Sequence, residues 1–116
     1  MTIYLDMDGV IADFFKAFAK KNNVKHWKSI KEKEKALVDL HNTDFFNNIP
    51  TFGDKTYKIV QKVRSLAYYV DADWGICSSP LRGDHNNSAY WKRHWLEKHD
   101  IMPEVENCIF TSNKHK

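Results

Sequence analysis

At 116 residues the chain has the length of one small domain, enough for a single hydrophobic core and too short for two, so any further unit must be an insertion. Apolar residues make up 42% of it and charged residues of both signs 28%, a mixture that excludes an intrinsically disordered chain. The formal net charge of +3 attracts anions such as phosphorylated metabolites mildly and is too small to specify a nucleic-acid binder.

In chain order, Thr2 to Leu5 is a short apolar, β-prone run that stops at Asp6, as a buried parallel strand does on reaching the edge of its sheet. Asp6-Met7-Asp8-Gly9 is then a loop. From Asp13, a good N-cap, the spacing turns helical with Phe14, Phe15, Phe18 and Ala19 on one side, and Asn22-Asn23 closes that helix. Ser29 followed by Glu32 has the capping-box pattern of a second helix, running to about Leu40 with Ala36, Leu37 and Leu40 as its apolar stripe. Phe45 and Phe46 lie in a polar loop. After a turn at Pro50, Gly53 and Asp54, Tyr57 to Leu66 reads as a third helix with Ile59, Val60 and Val63 inward.

Trp74 to Cys77 is the second apolar strand, and it ends in Ser78-Ser79-Pro80, the same topological place as Asp6. Arg82, Gly83 and Asp84 form a loop, Ser88 to His99 an aromatic, basic helix, and Cys108 to Phe110 a third strand ending in Thr111-Ser112. Strands that alternate with helices and carry polar residues at their carboxyl ends predict a parallel, Rossmann-like α/β sheet with its site beyond those ends.

Several segments carry plainer readings. The Lys-rich stretch from Lys25 to Lys35 is interrupted by Glu32 and Glu34 and reads as a solvated helix face. Cys77 and Cys108 form no CxxC pair and read as buried reduced thiols. His85, His94 and His99 do not share a helical face, so they read as surface residues rather than zinc ligands. No apolar stretch is long enough to cross a membrane, and MTIYLDMDG lacks the pattern of a signal peptide, so the expected compartment is the cytoplasm.

The chemistry concentrates at Asp6 and Asp8. One residue apart at a strand end, both carboxylates can face a common crevice, and Gly9 lets the backbone turn tightly there. Adjacent carboxylates repel unless a cation sits with them, and a hard divalent ion with oxygen ligands, magnesium above all, suits the pair. One carboxylate can then attack phosphorus while its neighbour, protonated, gives a proton to the leaving alcohol and later takes one from water. A calcium loop fits poorly, because Gly9 is fourth from Asp6 where an EF-hand needs its glycine sixth.

The run from Asp6 to Phe14, read with the strand before it, resembles the first motif of the haloacid-dehalogenase phosphatases, in the form seen in 5'(3')-deoxyribonucleotidases. Ile76 to Pro80 resembles the second motif, and Thr111-Ser112-Asn113-Lys114 the segment leading to the family's lysine. The resemblance implies a Rossmannoid three-layer core over residues 1–13 and 70–116, with a small helical cap over residues 14–69. It implies Asp6 as nucleophile, Asp8 as general acid and base, and magnesium held by Asp6 and by Asp8 through its carbonyl. Ser78, Ser79, Lys114, Lys92 and Arg82 would contact phosphate, and Phe14, Phe45 and Phe46 the substrate's base. For Phe45 and Phe46, ordinary core packing is the equal alternative.

The implied reaction is magnesium-dependent hydrolysis of a small phosphomonoester, a nucleoside or deoxynucleoside monophosphate, through an aspartyl phosphate. The rival substrates are a sugar phosphate or a polynucleotide 3'-phosphate; the non-enzymatic rival is a shortened domain that binds a nucleotide or a partner without turnover. The family's fourth motif, an acidic pair on a later strand, would follow Lys114, and the sequence stops before it. The expected consequence is an incomplete core with an open edge at Thr2 to Leu5, covered by a second copy or by the missing segment, and weak magnesium binding by this chain.

Overall fold

Short β-prone runs separated by helical spacing give a mixed α/β fold. The structure, a computed structural model, describes residues 1–111. Strand β1 (Thr2–Asp6) leads to helix α1 (Phe14–Lys21), a 3-10 turn at Trp27–Ser29, α2 (Lys33–Val38), a second 3-10 turn at Phe45–Asn48, and α3 (Asp54–Tyr69). Then come β2 (Asp73–Ser78), α4 (His85–Lys98), a 3-10 turn at Val105–Asn107 and β3 (Cys108–Phe110). The strands form one parallel sheet in the order β1-β2-β3, so β1 and β3 are its edges among the described residues. Asp6 is in register with Cys77, and Ser78 with Phe110, which brings the carboxyl ends of all three strands to one side.

Gly75 lets β2 run close under the turn before β3. A Cβ there would meet the carbonyl oxygen of Asn107 at 2.1 Å, so only glycine permits this approach. The main core joins the loop after β1 (Met7, Ile11) to Ile76 of β2 and to Trp95 and Leu96 of α4, all at 0% exposure. Each such side chain contributes about 1.5–3 kcal/mol by leaving water. A smaller core of Phe18, Ile30, Ala36 and Leu40 holds the inserted segment together, and Phe14 and Phe45 pack against both cores.

Asp13 caps α1 as predicted, its carboxylate accepting from the Lys16 amide at 3.3 Å. Ser29 does not start the second helix. It ends a 3-10 turn, Ile30 is extended (φ −71°, ψ 120°), and α2 begins at Lys33 without a side-chain cap. The Lys33 ammonium, donating to the carbonyls of Lys28 at 3.3 Å and Ile30 at 3.0 Å, stabilises this turn over a continuous helix. Helix α3 also departs from expectation. It is longer at both ends than Tyr57 to Leu66, and it packs against β1 and β2. It thus packs as the crossover between these parallel strands, while the segment from α1 to the turn at Phe45–Asn48 precedes it.

That block is tied to the rest at two places. The Trp95 indole donates to the Ile49 carbonyl, drawing α4 against the turn at Phe45–Asn48. On the other side, buried Asp84 accepts from the Asn42 amide at 3.2 Å and from Asn87 Nδ2 at 2.9 Å, and Asn87 Nδ2 also donates to the Thr43 carbonyl. No helix among the described residues is long and apolar enough to cross a membrane.

Candidate functional site

The loop from Met7 to Asp13 is built on one carbonyl. Met7 O accepts from the amides of Val10, Ile11 and Ala12 at 3.3, 3.0 and 3.0 Å, while the Met7 and Ile11 side chains are fully buried beneath. Gly9, at φ 80°, turns the chain back where most residues would be strained. The Asp13 amide donates to Pro50 O at 2.8 Å, which fixes the far end of the loop. Asp6 is exposed at the tip of β1, and the Asp8 side chain is 29% exposed just beyond it.

Opposite this loop lies a buried cation. Lys92 lies on the face of α4 that also carries Ser88, Trp95 and Leu96, a spacing of i, i+4, i+7 and i+8, and its side chain is fully buried. Its Nζ donates to Asp8 Oδ2 at 2.8 Å, to Ser78 Oγ at 2.8 Å and to the Ser79 carbonyl at 2.7 Å. The ammonium also stands 4.9 Å from the centre of the Phe46 ring. Three donated bonds and an aromatic floor hold a charge that burial alone would disfavour. Asp8 and Ser78, from the ends of two parallel strands, thus meet at one ammonium.

The remaining predicted residues divide clearly. Ser78 is buried in the constellation; Ser79 enters it through its carbonyl, and its side chain belongs to an exposed residue. Arg82 is exposed and takes part through its backbone, whose carbonyl accepts from His41 Nε2 at 2.9 Å; the ring nitrogen must therefore carry the proton. Phe46 is 3% exposed and packed into the core beneath Lys92, which corrects the expectation that it offers a stacking surface to a base. Phe14 and Phe45 are half-buried, in edge contact with their ring centres 5.9 Å apart. Lys114 lies outside the described residues, while Thr111, its amide donating to Ser78 O at 3.0 Å, brings the end of β3 beside the site.

Lys92 was legible in the sequence as an intruder: a lysine at a stripe position shared with Ser88, Trp95 and Leu96, on the helix after a strand ending in two serines. A charge on a helix's buried face needs an anion, and the polar strand ends are where anions sit.

Asp8 Oδ1 is buried and has no hydrogen-bond partner among the described residues. An orphaned buried carboxylate oxygen is costly unless a proton, cation or ligand meets it. Three or more histidine, cysteine or acidic side chains do not cluster among the described residues. Magnesium asks for less, one or two carboxylates with phosphate oxygens and waters, and the Asp6 and Asp8 oxygens fit that donor set. Comparison of the sequence with protein-family models and with curated proteins returns no match.

Proposed function

We propose that the chain is a magnesium-dependent phosphomonoesterase that uses Asp6 as nucleophile, with a nucleoside or deoxynucleoside monophosphate as substrate. The observation that carries this reading is the meeting of Asp8, Ser78 and the Lys92 ammonium at the ends of two parallel strands, beside Asp6. A fixed, buried positive charge next to paired carboxylates is what a transferring phosphoryl group needs, because its oxygens carry the charge that develops in the transition state.

A phosphate drawn to this corner displaces Asp8 Oδ2 from the Lys92 ammonium, whose three donors are otherwise all used, and takes a further hydrogen bond from the Ser78 hydroxyl, leaving Asp8 released to carry a proton. An Asp6 carboxylate oxygen attacks phosphorus, the bond from phosphorus to the ester oxygen breaks, and the leaving oxygen receives a proton from Asp8. Water then attacks the aspartyl phosphate, Asp8 takes the water's proton, and inorganic phosphate leaves with the Asp6 carboxylate restored. Bound magnesium, held by Asp6 and Asp8, would offset the repulsion between phosphate and nucleophile. Half-buried Phe14 and Phe45 offer aromatic surface to a base.

The test is initial-rate phosphate release from a panel of nucleoside monophosphates, with magnesium and with a chelator, by the wild-type chain and by Asp6→Asn. Release that needs magnesium and disappears in the variant supports the reading; release that is unchanged by Asp6→Asn defeats it.

A further inference from the structure

The modest net charge conceals a local concentration. Lys55, Lys58 and Lys62 recur at i, i+3 and i+7 on α3 and all three are exposed. They line a groove of about 460 Å³ together with half-buried Val10, Phe52 and Ile59, and among the described residues no acidic side chain lines it. The groove reaches Gly9, the residue directly after Asp8, so it starts where the carboxylate loop ends.

An apolar bed edged by an unopposed row of ammonium groups suits a ligand that is anionic along its length and flat between its charges. From Lys55 to Lys62 the helix rises about 10 Å, roughly three phosphate-to-phosphate steps along a stacked strand. Phe52 offers a ring on which a base can stack. A bilayer surface would ask for a protruding apolar face, and these apolar residues are recessed between lysines.

We propose that this groove is a track for single-stranded polynucleotide, with the strand's terminal phosphate directed to the Asp6, Asp8 and Ser78 corner. The placement of that terminus rests on the phosphatase reading above; binding in the groove does not. The substrate class is thereby extended from free nucleotides to the phosphorylated end of a chain.

The experiment is fluorescence anisotropy of a labelled oligothymidylate carrying a terminal phosphate, titrated with the full chain over a range of salt. Reversing Lys55, Lys58 and Lys62 together to Glu should raise Kd by about tenfold or more and reduce the salt slope by about 2. Reversing exposed Lys25, Lys31 and Lys35 to Glu makes the same change in net charge away from the groove and should alter Kd by less than about threefold. The milder K55Q, K58Q and K62Q triple variant should move Kd in the same direction by less, so that poor folding of one variant does not hide the answer. Equal weakening by the two reversals, or no weakening by the groove variants, overturns the proposal. Phosphate release is read separately on the same oligonucleotide and on mononucleotides: groove-dependent binding without release from the oligonucleotide would overturn the placement of its terminus at the Asp6 corner, absence of release from mononucleotides as well would defeat the phosphatase reading, and release from mononucleotides without groove-dependent binding would defeat the track alone.

Discussion

Replacing Lys92 with methionine keeps most of the aliphatic stem and deletes the charge at the centre of the site. The lost ammonium donates to Asp8 Oδ2 at 2.8 Å, Ser78 Oγ at 2.8 Å and the Ser79 carbonyl at 2.7 Å, from a side chain with no solvent exposure. Deleting one member of a fully buried ion pair costs about 3–5 kcal/mol, mostly by stranding the other charge. Asp8 is 29% exposed, so water recovers part of that loss, and the expected cost is about 2–3 kcal/mol. For a chain of this length that is a fall in Tm of about 10 °C. Urea denaturation of wild type, Lys92→Met, Asp8→Asn and the double variant measures it. The double variant should be less destabilised than the sum of the singles by about 1–2 kcal/mol, because the stranded carboxylate is gone. A Lys92→Met chain within about 0.5 kcal/mol of wild type, or strict additivity, would refute the claim that this ammonium organises the strand ends.

Asp84→Ala removes the acceptor for the Asn42 amide and for Asn87 Nδ2, and should cost about 1–2 kcal/mol while speeding hydrogen exchange at Asn42; unchanged exchange would show that the inserted block is held elsewhere. Burial, opposed by nearby Arg93, raises the Cys108 thiol pKa from 9.0 to about 11. The folded chain therefore holds this proton more tightly than the unfolded chain. The stability it contributes is fully present below about pH 9 and is lost as pH rises through about 11. The stability gap between wild type and Cys108→Ala should accordingly narrow across that window, by as much as about 2 kcal/mol, and a constant gap in urea midpoints would contradict it.

The sheet was legible because its strands are short apolar runs cut off by Asp6, by Ser78 and by Thr111, and polar residues at strand ends mark where burial stops. Asp13 was legible as a cap because a local hydrogen bond suffices to make one. Ser29 does not cap α2 for the complementary reason: the capping-box pattern ignores Lys33, whose ammonium satisfies the carbonyls of Lys28 and Ile30 and favours a turn. Periodicity marks α3 as a helix, and only its packing on β1 and β2 distinguishes a crossover helix from a cap helix. The stacking of Phe46 beneath Lys92 needs the third dimension as well. The sequence marks both as candidates for ligand contact, but it does not show that the ring lies beneath the ammonium.

The proposed function requires that Asp6 become covalently phosphorylated. The most direct measurement is acid quenching of the chain during turnover of a nucleoside monophosphate with magnesium, followed by peptide mass spectrometry. The account predicts a phosphoryl adduct on Asp6, absent in Asp6→Asn. Phosphate release accompanied by an adduct on Asp8, or by none on any carboxylate, would contradict it.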